Sequence, residues 1–561
     1  MRKTLALILS VIMTLSVCSF VIPVSAAEGT AINTAEDFAN MAAEGNYYLN
    51  ADITISSTYA NPFNGTFDGN GHTVTVSAPM FLDFSGTIKN LKIKGEVVCV
   101  DTNGAAVALY STSGIVAENI VNDANVTVTG QGVYGASILA NCELAEPVPT
   151  FKNIVNNGEI YVDSQAPEKP RAGGIAAVVV SGIFEECVNN AKVTVKGNIG
   201  MAAGICPRTG VEAVACTIEA IRCVNNGDIF NEDTYKDVNG VENAGTGAGD
   251  TGGIFGYVGT KNGVGVRKII GCVNNGDIHG NYRTGGMFGY AYCSDGKGQL
   301  ICVEYCINTG DIYYGRTAGT TVAGGNTYDY ASGMVGYANA NSNLIRFNID
   351  TGKLIKVEGA ATLNPGTSFL GCSSAPDAFI CGNFVLNSDQ YQFLTWASGD
   401  DNATSRVDIS VGFGNNAVVP TTLEEIKSGK VCYELNKFSE ENYGYEDWNF
   451  YQDLGKDEYP TVDATHGWVV LNGDKYENGT KGATDETTAP EAGDETTAPE
   501  AGDETTKAPE AGDETTKAPE QGNQGDETTK APDKSGCGGV IAGGIALVAI
   551  LGTALIIKKR D

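Results

Sequence analysis

The sequence predicts an all-β chain coiled as a parallel β-solenoid, and three observations carry that prediction. First, one short turn recurs as Val121-Asn122-Asp123-Ala124-Asn125-Val126, Val155-Asn156-Asn157-Gly158-Glu159-Ile160, Val188-Asn189-Asn190-Ala191-Lys192-Val193, Val224-Asn225-Asn226-Gly227-Asp228-Ile229, Val273-Asn274-Asn275-Gly276-Asp277-Ile278 and Ile307-Asn308-Thr309-Gly310-Asp311-Ile312. The copies stand 34, 33, 36, 49 and 34 residues apart, a period that marks stacked supersecondary units. Second, a small-residue element falls between the turns: Gly173-Gly174-Ile175, Ala203-Gly204-Ile205, Gly252-Gly253-Ile254, Gly285-Gly286-Met287 and Ser332-Gly333-Met334. Third, the apolar runs are short, β-branched residues alternate with small polar ones, and the 3.6-residue helical period is missing. A coil of about 30 residues cannot bury its apolar face alone, so coils stack and share one core. Gly at fixed positions is expected to permit positive φ at corners. Same-position asparagines are expected to form side-chain ladders between coils.

In chain order, Met1–Ala27 reads as a secretory signal peptide. Arg2 and Lys3 precede the apolar Leu5–Val17, and Val24-Ser25-Ala26-Ala27 offers small residues for cleavage. Thr34, three residues before Asp37, is an expected N-cap for a short helix that closes the open end of the stack. Phe63-Asn64-Gly65-Thr66-Phe67-Asp68-Gly69-Asn70-Gly71-His72 follows and resembles the first rung of right-handed β-helix surface proteins. The repeat proper then runs from Ile88 to a decayed last copy at Asn348–Leu354.

The pattern I-x-x-C-x-N-x-G-D-I followed by GG-[IM]-x-GY, clearest over Cys223–Tyr337, resembles the GLUG-type repeat of bacterial surface proteins. The resemblance covers Ile88 to Leu354 and implies a right-handed parallel β-helix with short capping helices. Some secreted IgA-cleaving metallopeptidases carry such repeats, which raises an enzyme reading.

After Leu354 irregular coils continue to Pro420. Thr422 to Gly429 reads as a short capped helix. Val431–Asn436, Trp448-Asn449-Phe450 and Gly455-x-Asp457-x-x-Pro460 resemble the segment that closes such repeats, and Trp448 and Trp468 are expected to seal the solenoid end. From Lys481 the chain repeats Gly-Asp-Glu-Thr-Thr-Lys-Ala-Pro-Glu with no aromatic or large aliphatic residue, so it is expected to be a disordered, extended stalk. Val540–Ile557 is uncharged and apolar and is followed by Lys558-Lys559-Arg560. It is expected to cross a membrane, with the basic tail inside the cell. The expected organisation is residues 1–27 signal peptide, 28–87 cap and first rungs, 88–420 β-helix, 421–480 closing segment, 481–537 stalk and 538–561 anchor. The body would then stand outside the cell as a monomer.

The net charge of −31 argues against a nucleic-acid partner, because phosphate neutralisation needs a basic surface. About a third of it comes from the stalk, where 15 carboxylates meet 5 lysines. Cys187, Cys223, Cys272 and Cys306 share one phase, two residues before the first turn asparagine, and are expected to stack inside as thiols. No C-x-x-C pair supports a metal site, and three scattered histidines, His72, His279 and His466, exclude an H-E-x-x-H metallopeptidase helix. The recurring acids Glu159, Asp228, Asp277 and Asp311 are expected to serve the turns, with a Ca²⁺-binding carboxylate ladder as the alternative and no other cofactor implied. Asp400-Asp401 is an irregular acidic pair in a polar loop. Loops on a rigid scaffold carry specificity, so the longest inserts, Asn231–Asp250 and Arg316–Tyr330, are where a ligand is expected. Tyr235, Tyr313, Tyr314, Tyr328 and Tyr330 are the exposed aromatic candidates there. The expected function is adhesion or binding of an extracellular glycan or protein. The alternatives are a polysaccharide lyase or hydrolase with clustered carboxylates, and a spacer with no ligand.

Overall fold

The computed structural model describes residues 28–481 apart from 165–168, 212–214, 233, 237–240, 245–248, 261–266, 294–299, 316–328, 340–341, 361–368, 371–377, 387–392, 396–404, 408–417 and 444–447. The expected signal peptide, the stalk beyond Lys481, the Val540–Ile557 span and Asp400-Asp401 lie outside the described residues. Among the described residues no helix is long and apolar enough to cross a membrane.

The chain winds as a parallel β-helix with five strands per coil. One coil runs through Gly182–Glu185, Val188–Asn189, Val193–Lys196, Met201–Ala203 and Cys206–Thr209. The next runs through Ile218–Ile221, Val224–Asn225, Ile229–Glu232, Asp250–Gly252 and Phe255–Thr260. The first three strands of each coil belong to a 27-stranded sheet, the fourth to a 7-stranded sheet and the fifth to an 8-stranded sheet. Each strand pairs in parallel with its counterpart one coil on, so Val188, Val224, Val273, Ile307 and Ile349 form one column. A single apolar core runs through the coils from Ile32 to Val385.

The two motifs of the repeat meet across that core. Asn122, Asn156, Asn189, Asn225, Asn274 and Asn308 are all fully buried. Each Nδ2 donates to the next side-chain oxygen at 2.8–2.9 Å, ending on Asp350 Oδ1, and also to the carbonyl two residues on in its own turn. The ladder therefore satisfies buried amides that would otherwise be costly. Opposite it stands the second residue of each small-residue pair. A Cβ added to Gly253 would lie 2.5 Å from Asn274 Oδ1, and one added to Gly286 would lie 2.6 Å from Asn308 Oδ1. These glycines make room for the ladder; positive φ is not what they supply. A second, exposed ladder joins Asp123, Asn157, Asn190, Asn226, Asn275 and Thr309.

Positive φ sits elsewhere, at the bend between first and second strands. Asn90, Asn119, Asn153, Glu186, Arg222, Tyr305 and Phe347 occupy it with φ of 51–58°, and Gly271 and Gly382 take the same place at 64° and 61°. The residue after this bend is Cys187, Cys223, Cys272 or Cys306 in four successive coils. All four are fully buried, all are free thiols, and each Sγ donates to a backbone carbonyl of the preceding coil at 3.3–3.4 Å. Both the inward phase and the thiol stack follow the sequence expectation.

The ends are closed differently. The helix Ala35–Ala39 carries the expected capping box, Asp37 N–H to Thr34 Oγ1 at 3.1 Å and Thr34 N–H to Asp37 Oδ2 at 3.0 Å. It lowers Phe38 onto Tyr59, Phe67 and Phe81. At the other end Thr422 and Glu425 cap the helix Leu423–Lys427 in the same way. Gly429, at φ +87°, then turns the chain into a second helix, Lys430–Tyr443, which the sequence reading did not assign. This closing segment does not seal the solenoid end through its tryptophans. Trp448 and Phe450 pack on the flank of the last coils with Tyr305, Ile307, Phe347 and Ile349, forming a second core outside the lumen.

Candidate functional site

The two longest interruptions of the repeat leave and return at one corner. One leaves after Ile229–Glu232 and returns at Asp250–Gly252; the other leaves after Ile312–Tyr314 and returns at Tyr330–Ser332. The coil between them crosses directly from Ile278–His279 to Arg283–Gly285. Neighbouring coils are about 4.8 Å apart, so the roots of the two inserts stand about 10 Å apart. The first insert includes an antiparallel hairpin of Thr234–Lys236 with Glu242–Ala244. Tyr235 lies on that hairpin; its side chain, like all of Tyr328, is outside the described residues.

The wall that leads to this corner is the outward face of the third strand. Ile229, Ile278 and Ile312 point into the core, and the alternate residues point out. Phe230, His279 and Tyr313 stack there with ring centroids 4.3 Å apart and planes within 10° of parallel. Lys192 Nζ lies 4.6 Å from the Phe230 centroid and ends the stack. Burial lowers the His279 pKa, opposed by Asp228 and reinforced by Lys192. Beside the rings runs the turn column Glu159, Lys192, Asp228, Asp277, Asp311 and Lys353, in register through the strand residues that follow them.

In that column the aspartate oxygens are turned towards the backbone. Lys192 separates Glu159 from the three aspartates. Asp228, Asp277 and Asp311 each turn Oδ1 to the backbone N–H of the next coil, at 3.0, 2.9 and 2.9 Å. Their oxygens serve the turn, as the regular recurrence implied, and they do not converge on one point. Burial raises the Asp277 pKa, and both neighbouring aspartates add to it. Among the described residues the group with metal-ligand spacing is Asp453, Asp457 and His466 in the closing segment, each half-buried. His466 Nδ1 already meets Asp457 Oδ2 there at 2.7 Å, and Asp453 accepts from Gly467 N–H.

Two of the tyrosine expectations are corrected. Tyr314 is 3 % exposed because it follows the outward Tyr313 by one residue, and strand alternation turns it into the core. Tyr330 is 4 % exposed and packs with Met201, Tyr257, Tyr290 and Tyr337 in a small cluster outside the lumen. Tyr313 alone of the described candidates lies on the surface wall.

Sequence reasoning missed the charged residues under this corner. The first position of the fourth strand reads Tyr134, Arg171, Met201, Asp250, Arg283 and Tyr330 from coil to coil. Asp250 is fully buried, and its Oδ1 accepts from Arg283 Nε at 2.6 Å. Burial raises the Asp250 pKa to about 6 despite the Arg283 charge. The Arg283 guanidinium lies 3.5 Å from the Tyr290 ring centroid and 4.8 Å from that of Tyr282. Aligning Asp250-Thr251-Gly252-Gly253 on Arg283-Thr284-Gly285-Gly286 would have exposed the opposite charges in one column.

No protein-family model and no curated protein matches the chain. Among solved structures it is similar to one from Bacteroides ovatus described as a "putative immunoglobulin A1 protease", over 78 % of this chain and 94 % of that one, at 14 % identity and a TM-score of 0.27. The two chains share too little geometry for a function to pass from one to the other.

Proposed function

We propose that this chain is displayed on a bacterial cell surface and acts as an adhesin, binding an extracellular glycan or protein at the corner between third and fourth strands. The GLUG-like repeat, the leader, the stalk and the apolar C-terminal run support display. The observation that most supports binding is the convergence of both long inserts on one corner, beside a wall of stacked rings. A rigid scaffold with loops gathered at one edge is how many recognition sites are built. The strongest repeat-breaking carboxyl, Asp250, is fully buried and its Oδ1 is taken by Arg283 Nε, which favours binding over turnover.

The test is a glycan-array and mucin-binding screen of the purified full chain, with product release assayed on the same polysaccharides. Binding without release is the expected outcome, reduced in Tyr313→Ala. Release of shortened products would replace the adhesin with a polysaccharide-acting enzyme. Silence towards glycans, mucin and protein ligands alike would leave a spacer.

A further inference from the structure

We propose that Arg283 anchors a carboxylate-binding site at this corner, and that the ligand is a saccharide bearing a single carboxylate. The inference rests on the adhesin reading and names the ligand class of the same site.

Arg283 is held on three sides. Asp250 takes its Nε, and the rings of Tyr290 and Tyr282 lie against the guanidinium. Neither Nη atom has a hydrogen-bond partner among the described residues, and neither is sealed from solvent; the side chain keeps 16 % of its surface. What remains open is the two-nitrogen edge, the edge that meets a carboxylate with two parallel hydrogen bonds. A guanidinium fixed by a carboxylate and two rings loses little further freedom on binding.

The local charge points the same way. Arg171 lies three coils before Arg283 in the same column and is 1 % exposed, and Arg208 is close enough to oppose its charge. Two guanidinium groups, those of Arg283 and Arg171, thus bear on one carboxylate, Asp250, in a chain whose net charge is −31. An anion at the Nη edge relieves that excess. The acidic remainder of the chain repels a polyanion within roughly a Debye length, about 8 Å at physiological ionic strength, so a ligand with one carboxylate is favoured over a heavily charged polymer. The partly buried Tyr282 and Tyr292 beside the arginine offer ring surface to a sugar.

The experiment is a calorimetric titration of the full chain with a glucuronate-terminated oligosaccharide and with its methyl ester. The acid is expected to bind at least tenfold more tightly than the ester. Arg283→Gln is expected to remove that preference, and Arg283→Lys to keep the charge with Asp250 yet lose most of it, because an ammonium has no fork. The acid-versus-ester ratio on the unaltered chain stands whether or not either variant folds. Equal binding of acid and ester overturns the carboxylate site and leaves the adhesin reading intact. Preference for the acid that survives in a folded Arg283→Gln chain overturns the assignment to Arg283. Failure to bind any saccharide in either form overturns this inference, and only silence in the wider glycan, mucin and protein screen would overturn the adhesin reading as well.

Discussion

The bend between first and second strands has one backbone and two chemistries. In the early coils Asn90, Asn119 and Asn153 occupy it; in the late coils Tyr305 and Phe347 do, all with φ of 55–58°. The asparagines bond to one another, Asn119 Nδ2 to Asn90 Oδ1 at 3.1 Å and Asn153 Nδ2 to Asn119 Oδ1 at 2.8 Å. The aromatics instead meet the closing segment: Tyr305 lies against Phe450 and Trp448, and its hydroxyl hydrogen-bonds Ser439. A left-handed bend disfavours any residue with a Cβ by roughly 1–2 kcal/mol, so each end needs its own compensation. A solenoid thus repeats its backbone, and the outward column records what covers it. In this column the amide ladder stands where the closing segment does not reach, and the aromatics stand where it does. The third-strand wall breaks that rule, since Phe230, His279 and Tyr313 stack outward and keep part of their surface, which is why it is the wall to examine for a ligand.

Phe347 is the aromatic end of this column. It is fully buried between the last coils and the closing segment. Phe347→Ala is expected to lower stability by about 4 kcal/mol through a cavity in the second core. Denaturant unfolding would read this, and limited proteolysis would show the closing segment cut first while the early coils resist. If the early coils are cut as readily, the two cores are one cooperative unit and the flank is no separate structure.

Asp350 ends the interior ladder where six asparagines precede it. Burial raises its pKa from 3.8 to about 7, with Asp311 adding to the rise and Asn308 and the Gly352 N–H opposing it. The folded chain therefore holds a proton that the unfolded chain releases near pH 4. The sign follows from linkage: the contribution is full below about pH 4 and is lost as pH rises to about 7. Asp350→Asn should abolish that slope and stabilise the chain by roughly 4 kcal/mol at pH 8, with little change at pH 4. Melting the two chains across this range checks it. Parallel pH profiles would mean that Asp350 is ionised and served by a water.

How far the sequence reached follows from what repeats. The ladder, the thiol phase and the Thr34–Asp37 capping box were legible because each is a spacing, and for the first two stacking turns a spacing into a column. The glycines were legible as positions and misread as to cause: a residue that makes room for Asn274 cannot be told in sequence from one that bends the chain. Tyr314 shows the limit at the site itself. Next to Tyr313, only strand phase decides which ring faces out, and the first residues of an insert carry no phase signal. Asp250 and Arg283 were invisible because a charge two residues before Gly-Gly reads as surface, and only the stacked register brings the opposite charges into one column. The metal-like grouping of Asp453, Asp457 and His466 arises from a fold of the closing segment with no period at all.

Asn119→Ala removes two ladder bonds at a partly exposed bend and leaves no buried donor behind. It should lower stability by about 1 kcal/mol, several times less than Phe347→Ala at the same backbone position. Asn119→Gly isolates the strain, because glycine adopts the left-handed region freely while the ladder is lost just the same. If the ladder holds the bend, glycine and alanine weaken the chain alike. If conformational preference holds it, glycine restores most of the loss, and the asparagines are there for their tolerance of positive φ and not for their bonds. Denaturation of the three chains under one condition separates these, and the same pair of substitutions at Asn153 tests whether the answer belongs to the column or to one coil.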